Sequence, residues 1–285
     1  MCLLISRQGS AVHRGYSWPG LEKVSQQTQP SEDTNSTGDT AAVHSPRAVE
    51  DVKESFEVGH PINWAQPNVF LPEPILPGFR AFALSFFNVC FAASLDLLHA
   101  LSLGLGLEET ALDGAYVTKN GQLRLLHYPP VARAEVQEGG GKTRMEAHSD
   151  WDSLTMLFLK AGCAGGLQVE IGGGFVDVPP VEGAAVMNVG DALMRWSKGE
   201  LPSTMHRVGI PGNGVQARGE DMLQPRYSIP FFLGPDMDAI LEPLPPCIGE
   251  GRPAKYEPVS FAEYAAMRAR FWYPDDEKDE TWQES

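Results

Sequence analysis

Residues 146–159, EAHSDWDSLTMLFL, decide how this chain is read. Side chains two apart on an extended strand share a face, so His148 and Asp150 aim an imidazole and a carboxylate at one spot. A third candidate, His206, stands in STMHRVGIP (203–211), and Arg226-Tyr227-Ser228 opens the last apolar run of the region. Two imidazoles and a carboxylate on one face, with the other coordination positions open, are the donor set of a 2-His-1-carboxylate iron site. A His-x-Asp pair alone arises often by chance. The weight comes from the joint pattern, with a His and an Arg-x-Ser at the heads of later strands.

From Gly121 onward the chain breaks into short apolar runs separated by turn residues, and these predict strands at 123–128, 144–149, 154–159, 167–171, 175–178, 184–188, 205–210 and 227–233. Many short strands with Gly, Pro and Asp turns favour a sandwich, jelly roll or barrel over a βαβ sheet. Upstream, 79–103 predicts one long helix ended by Gly104 and Gly106, followed by a short helical piece at 107–113. Residues 9–20 read as a short strand ending in a Pro-Gly turn, 51–57 as a short helix, and the polar stretch 25–46 as a surface loop. After Pro235, EPLPPCIGEGRP (242–253) is extended, and the chain closes with a helix over 259–272 and an acidic tail, PDDEKDETWQES (274–285). The expected organisation is a flanking region over 1–120, a β core over 121–235 and a C-terminal extension over 236–285.

Bulk properties narrow the partners. The 285 residues carry a formal charge of -15, which argues against a nucleic-acid or anionic-membrane partner, although a local basic group can still hold a small anion. Cys2, Cys90, Cys163 and Cys247 lie far apart and form no CxxC pair, which suits reduced thiols in a cytoplasmic protein. The apolar stretch 79–107 is interrupted by Arg80, Asn88, Asp96 and His99, and a core helix is the expected reading rather than a membrane span.

Several segments together carry a family likeness: LRLLHYPP (123–130), AHSD (147–150), SLT (153–155), GLQV (166–169), NVGDAL (188–193), WSKGELPSTMHRV (196–208) and RYSIPFF (226–232). Weaker pieces are RGYS (14–17), KESFEVG (53–59), PGFR (77–80) and LGLGLEE (103–109). In these the sequence resembles the iron(II)/2-oxoglutarate-dependent dioxygenases of the isopenicillin N synthase-like group, and its wording is closest to fungal enzymes that oxidise small molecules. The resemblance implies an α+β chain with a double-stranded β-helix (jelly roll) core and flanking helices. It implies iron(II) on His148, Asp150 and His206. It further implies 2-oxoglutarate with its C5 carboxylate on Arg226 and Ser228, helped by the Tyr128 hydroxyl, and dioxygen as oxidant. The expected reaction is hydroxylation, desaturation or rearrangement of a small organic molecule in secondary metabolism.

The sequence departs from the family pattern in three places. Leu126 stands where an Asn is frequent, GFF-like and NHG-like pieces that usually precede RGYS are not found, and 212–225 resembles an insertion. Two alternatives stay open at this point: an iron oxidase of the same fold that uses no 2-oxoglutarate, and a non-catalytic binding protein. Nearby, Asp152 competes with Asp150 as the carboxylate, His127 falls on the strand face opposite Tyr128 and reads as structural, and Trp151 and Trp196 read as packing or pocket wall.

Overall fold

Ten strands form two antiparallel sheets in the computed structural model, which describes residues 14–21, 50–63, 66–136, 141–160, 165–212, 221–249, 251 and 253–269. In chain order they are β1 (Gly15–Ser17), β2 (Glu54–Gly59), β3 (Gly121–Tyr128), β4 (Met145–His148), β5 (Leu154–Leu159), β6 (Leu167–Ile171), β7 (Gly174–Asp177), β8 (Ala185–Val189), β9 (His206–Val208) and β10 (Arg226–Leu233). The larger sheet runs β1-β2-β3-β10-β5-β8 and the smaller β7-β6-β9-β4. Between β3 and β10 the chain passes back and forth between the sheets, which is the winding of a jelly roll.

The eight strands expected downstream of Gly121 are all present, with bounds shifted by a few residues at most. The larger sheet also takes β1 and β2 from upstream of that point. Residues 51–57 are a correction. Most of that segment lies in β2, which pairs with both β1 and β3, while Glu50–Asp51 pairs in parallel with Lys142–Thr143. Phe56 and Val58 satisfy a strand as well as a helix, and two flanking partners settle the choice. The helix expected at 107–113 is likewise a series of turns ending in a three-residue 3-10 helix, Asp113–Ala115. The stretch after Pro235 also contains a 3-10 turn at Pro245–Cys247. The polar stretch 25–46 and the acidic tail lie outside the described residues.

The long helix α1 (Phe79–Gly104) packs across the outer face of the larger sheet, touching β2, β3, β5 and β10. Its buried side is Ala83, Phe87, Cys90, Phe91, Ser94, Leu98 and Ser102, a stripe at helical spacing. By length and composition alone α1 is apolar enough to cross a membrane, but here that stripe lies against strands. Phe87 meets Phe231 of β10 edge to face at 5.1 Å, and Leu123, Leu154 and Leu233 complete the same core. Alternate residues of β3 point the other way, into the space between the sheets. There Leu126 and Tyr128 join Met145 and Val208 of the smaller sheet in a second, smaller core, with Trp151 packed against both.

The corner between β4 and β5 is pinned by two helices. The first turn of α2 (Asp191–Trp196) donates Asp191 N–H to the Asp150 carbonyl at 2.8 Å and Ala192 N–H to that of Asp152 at 3.0 Å. From α3 (Phe261–Ala269), Arg268 donates to the Ser149 carbonyl at 3.1 Å and pairs with Asp191, which Tyr264 also holds at 2.8 Å. The approach leaves no room at Gly190, where an added Cβ would run into the Asp152 carbonyl oxygen. Gly190→Ala is therefore expected to destabilise the protein by about 1–3 kcal/mol, the usual range for overpacking. An unchanged urea midpoint would show that this corner yields freely.

Candidate metal centre and keto acid pocket

His206 opens β9 directly opposite His148, the last residue of β4. Facing residues on antiparallel strands bring their side chains together, and the two imidazole centroids are 4.3 Å apart. Each ring is held by the same local device. His148 Nδ1 lies 2.8 Å from the Glu146 carbonyl and His206 Nδ1 2.9 Å from that of Thr204. A carbonyl only accepts, so both Nδ1 atoms carry a hydrogen, and each Nε2 is the ring nitrogen left to face the site. Those Nε2 atoms lie 3.9 and 3.7 Å from the same oxygen, Asp150 Oδ1.

The charge states also suit a cation. Burial, then the neighbouring His206, push the His148 pKa down to about 3, so the ring is neutral. Burial opposes the Asp150 anion, yet the two imidazoles and hydrogen bonds from Asn188 and Thr155 outweigh it and hold its pKa below the ordinary value. Oδ2 accepts from Thr155 Oγ1 at 2.7 Å and from Asn188 Nδ2 at 2.8 Å, which turns Oδ1 toward the histidines. Asp152 has another role. Burial, then the Asp150 charge, raise its pKa well above the usual range. Thr155 Oγ1 also lies 3.2 Å from Asp152 Oδ2, a longer contact than the one it makes to Asp150.

Donor atoms of His148, Asp150 and His206 all lie within 4.8 Å of one another, and they form the one such cluster of His, Cys, Asp and Glu among the described residues. Two bare imidazole nitrogens and one oriented carboxylate oxygen fit iron(II). Asp152 is not part of the cluster.

The three residues expected to hold a keto acid meet on the larger sheet. Arg226 pairs with Tyr128 and Ser228 with Leu126 across β10 and β3. The Arg226 guanidinium stands 5.0 Å above the Tyr128 ring and donates through Nη1 to Ser228 Oγ at 3.0 Å, while its Nε has no partner among the described residues. Tyr128 is buried, and its hydroxyl has only a weak acceptor, Met145 Sδ at 3.7 Å. Leu126 adds an apolar wall beside them. On the opposite face, His127 stacks on Tyr227 at 4.6 Å and bonds Glu54 at 2.7 Å, the structural part its position predicts. Trp196 is core, with Nε1 donating to the Ile240 carbonyl. Sequence reasoning passed over Thr155, Asn188 and Arg268. The first two lay inside SLT and NVGDAL, but their neighbours gave no sign of what they would touch.

A jelly roll carrying two histidines and a carboxylate at one end of its smaller sheet defines a class, the non-haem iron oxygenases. Residues 119–235 match the family model described as the 2OG-Fe(II) oxygenase superfamily. A 2-oxoglutarate-dependent dioxygenase of Aspergillus rugulosus is 36% identical over 251 residues, covering 86% of this chain and 71% of that protein. One from Glarea lozoyensis is 32% identical over 256 residues, covering 88% and 74%. Among solved structures, a full-length Neurospora crassa protein in complex with alpha-KG superposes with a TM-score of 0.75 at 34% identity, covering 94% of this chain and 76% of that one. The same Neurospora protein has also been solved with alpha-KG and thymine, again with a TM-score of 0.75. This chain belongs to the 2OG-Fe(II) oxygenase superfamily, and it is an oxidoreductase that uses iron(II), 2-oxoglutarate and dioxygen on a small molecule.

Losing a group that orients a ligand typically costs about ten- to a hundredfold in metal affinity. Asn188→Ala, which frees one side of Asp150, is expected to weaken iron(II) binding within that range while the protein stays folded. Unaltered affinity in an anaerobic iron titration would remove Asn188 from the site.

Proposed function

We propose that His148, Asp150 and His206 bind the iron(II), and that Arg226, Ser228 and Tyr128 receive the C5 carboxylate of 2-oxoglutarate. The observation that carries this reading is the shared focus of both His Nε2 atoms on Asp150 Oδ1. Once bound, the iron and keto acid supply the oxidising power, with dioxygen converting 2-oxoglutarate to succinate and carbon dioxide as substrate is oxidised. The chain's own groups have simpler tasks. The two Nδ1–H bonds fix the tautomers, Thr155 and Asn188 aim the carboxylate, and Arg226 with Ser228 positions the co-substrate by a charge-assisted contact. Leu126, Met145, Val208 and Trp151 keep water from the space between the sheets.

The substrate is a small organic molecule that is hydroxylated, desaturated or rearranged, and fungal secondary metabolism is the proposed setting. The Aspergillus and Glarea dioxygenases support it, as does a proline hydroxylase of Petromyces alliaceus, 32% identical over 248 residues. A reducing, cytoplasmic location belongs to the same reading, and the free, buried thiols of Cys90 and Cys247 support it.

The test is succinate formation from 2-oxoglutarate with iron(II) and air, with and without candidate substrates. Succinate is expected to require both iron and keto acid, to stop on chelation, and to vanish in His148→Ala. Arg226→Ala is expected to raise the 2-oxoglutarate KM far more than it lowers kcat. Turnover independent of 2-oxoglutarate would point instead to an oxidase, and failure to take up iron to a binding protein. Full activity in His148→Ala would overturn the site.

A further inference from the structure

Arg144 has no place in the site as described so far, yet it is one of the most deeply buried side chains in the protein, at 1% exposure. It precedes β4, four residues before His148. One nitrogen, Nη2, donates to the Gln224 carbonyl at 2.5 Å, two residues before Arg226. The other two, Nε and Nη1, are buried without any partner, and no carboxylate pairs with Arg144 or Arg226 among the described residues.

Arg144 lies close enough to Arg226 and Tyr128 to feel the charge of each. Met145, the next residue, receives the Tyr128 hydroxyl, and the Tyr128 ring lies beneath the Arg226 guanidinium. Gln224 ties the Arg144 side chain to the segment that starts β10. Burial, then the like charge of Arg226, lower the Arg144 pKa to about 10, which leaves it protonated at neutral pH. Two guanidinium ions thus share one enclosed space with Arg144 Nε and Nη1 and Arg226 Nε all unfilled. Burying an unpaired charge is costly, and two like charges together cost more than either alone. A carboxylate is a small group that offsets part of this charge, and the four lone-pair positions on its two oxygens are enough for the three unfilled nitrogens.

We propose that Arg144 and Arg226 form a two-guanidinium site that grips the distal carboxylate of the dicarboxylic keto acid, one from the segment leading into β4 and one from β10. The proposal rests on the assignment of that carboxylate to Arg226 and adds a second cation to it. Arg144 is then a co-substrate-binding residue, and the protein distinguishes keto acids by the presence of a distal charge.

The test compares two keto acids on protein loaded anaerobically with iron(II), followed by the charge-transfer absorbance of the bound keto acid. 2-Oxoglutarate carries the distal carboxylate and 2-oxopentanoate does not. The wild type is expected to bind 2-oxoglutarate much the tighter. Arg144→Met is expected to weaken 2-oxoglutarate by about tenfold or more, the loss typical of a charge-assisted hydrogen bond, and to leave 2-oxopentanoate unchanged. Arg144→Lys, which keeps the charge and loses the fork, is expected to fall between, and it carries the test if the Met variant does not fold. Glutarate provides a second readout without iron. It should raise the melting temperature of the wild type and have little effect on Arg144→Met.

Unchanged 2-oxoglutarate affinity in a folded Arg144→Met, or equal weakening of both keto acids, overturns the proposal while leaving Arg226 in place. A wild type that does not discriminate between the two keto acids overturns the Arg226 assignment and this proposal together.

Discussion

The pairing of β9 with β4, which sets His206 directly across from His148, is the contact on which the rest of the site depends. It brings the two side chains to the same spot, where their imidazole centroids are 4.3 Å apart. Backbone carbonyls then hold both Nδ1 hydrogens and turn the bare Nε2 atoms toward one carboxylate oxygen. Slipping the register by one residue would send one ring to the opposite face of the sheet and dissolve the cluster. The third donor is secured differently, because Asp150 lies in a corner rather than a strand. Its backbone is held by the first turn of α2 and the neighbouring Ser149 by Arg268 of α3, and its side chain by Thr155 and Asn188.

The two sheets divide the charges between them. The smaller sheet and its corner carry two imidazoles and one carboxylate, a site that suits a cation. On the larger sheet Arg226 looks into the same interior, and Arg144 reaches it from the head of β4. Between them the described residues offer no balancing carboxylate. A molecule with one end that chelates a metal and another that carries a negative charge satisfies both halves, and 2-oxoglutarate is such a molecule. The apolar contacts of Leu126, Met145, Val208 and Trp151 lower the dielectric around those charges and strengthen each interaction.

Much of this was legible in the sequence, for physical reasons that also mark the limits. Strands β5 and β6 fell where the apolar runs placed them, because both are short, bounded by turn residues and half buried. His148, Asp150 and His206 as one group, and Arg226, Ser228 and Tyr128 as another, could be singled out through spacing and family likeness, and the fold brings each group together. Residues 51–57 misled because SFEV sits among charged residues at spacings a helix also tolerates, and only the edges of β1 and β3 decide the outcome. Asn188, Thr155 and Arg144 were missed because what distinguishes them is the partner each meets or lacks across the fold. Asn188 is 38 positions from Asp150. In the sequence Arg144 is only the first residue of the strand expected at 144–149, and its burial with two unfilled nitrogens belongs to the fold.

X-ray absorption at the iron edge of anaerobically loaded protein tests the central claim most directly. The structure predicts one iron per chain with two imidazole nitrogens and otherwise oxygen neighbours, and the loss of one imidazole from that shell in His206→Ala. A sulfur neighbour, or the same two-imidazole spectrum in wild type and His206→Ala, would contradict the assignment of His148, Asp150 and His206 as the metal centre.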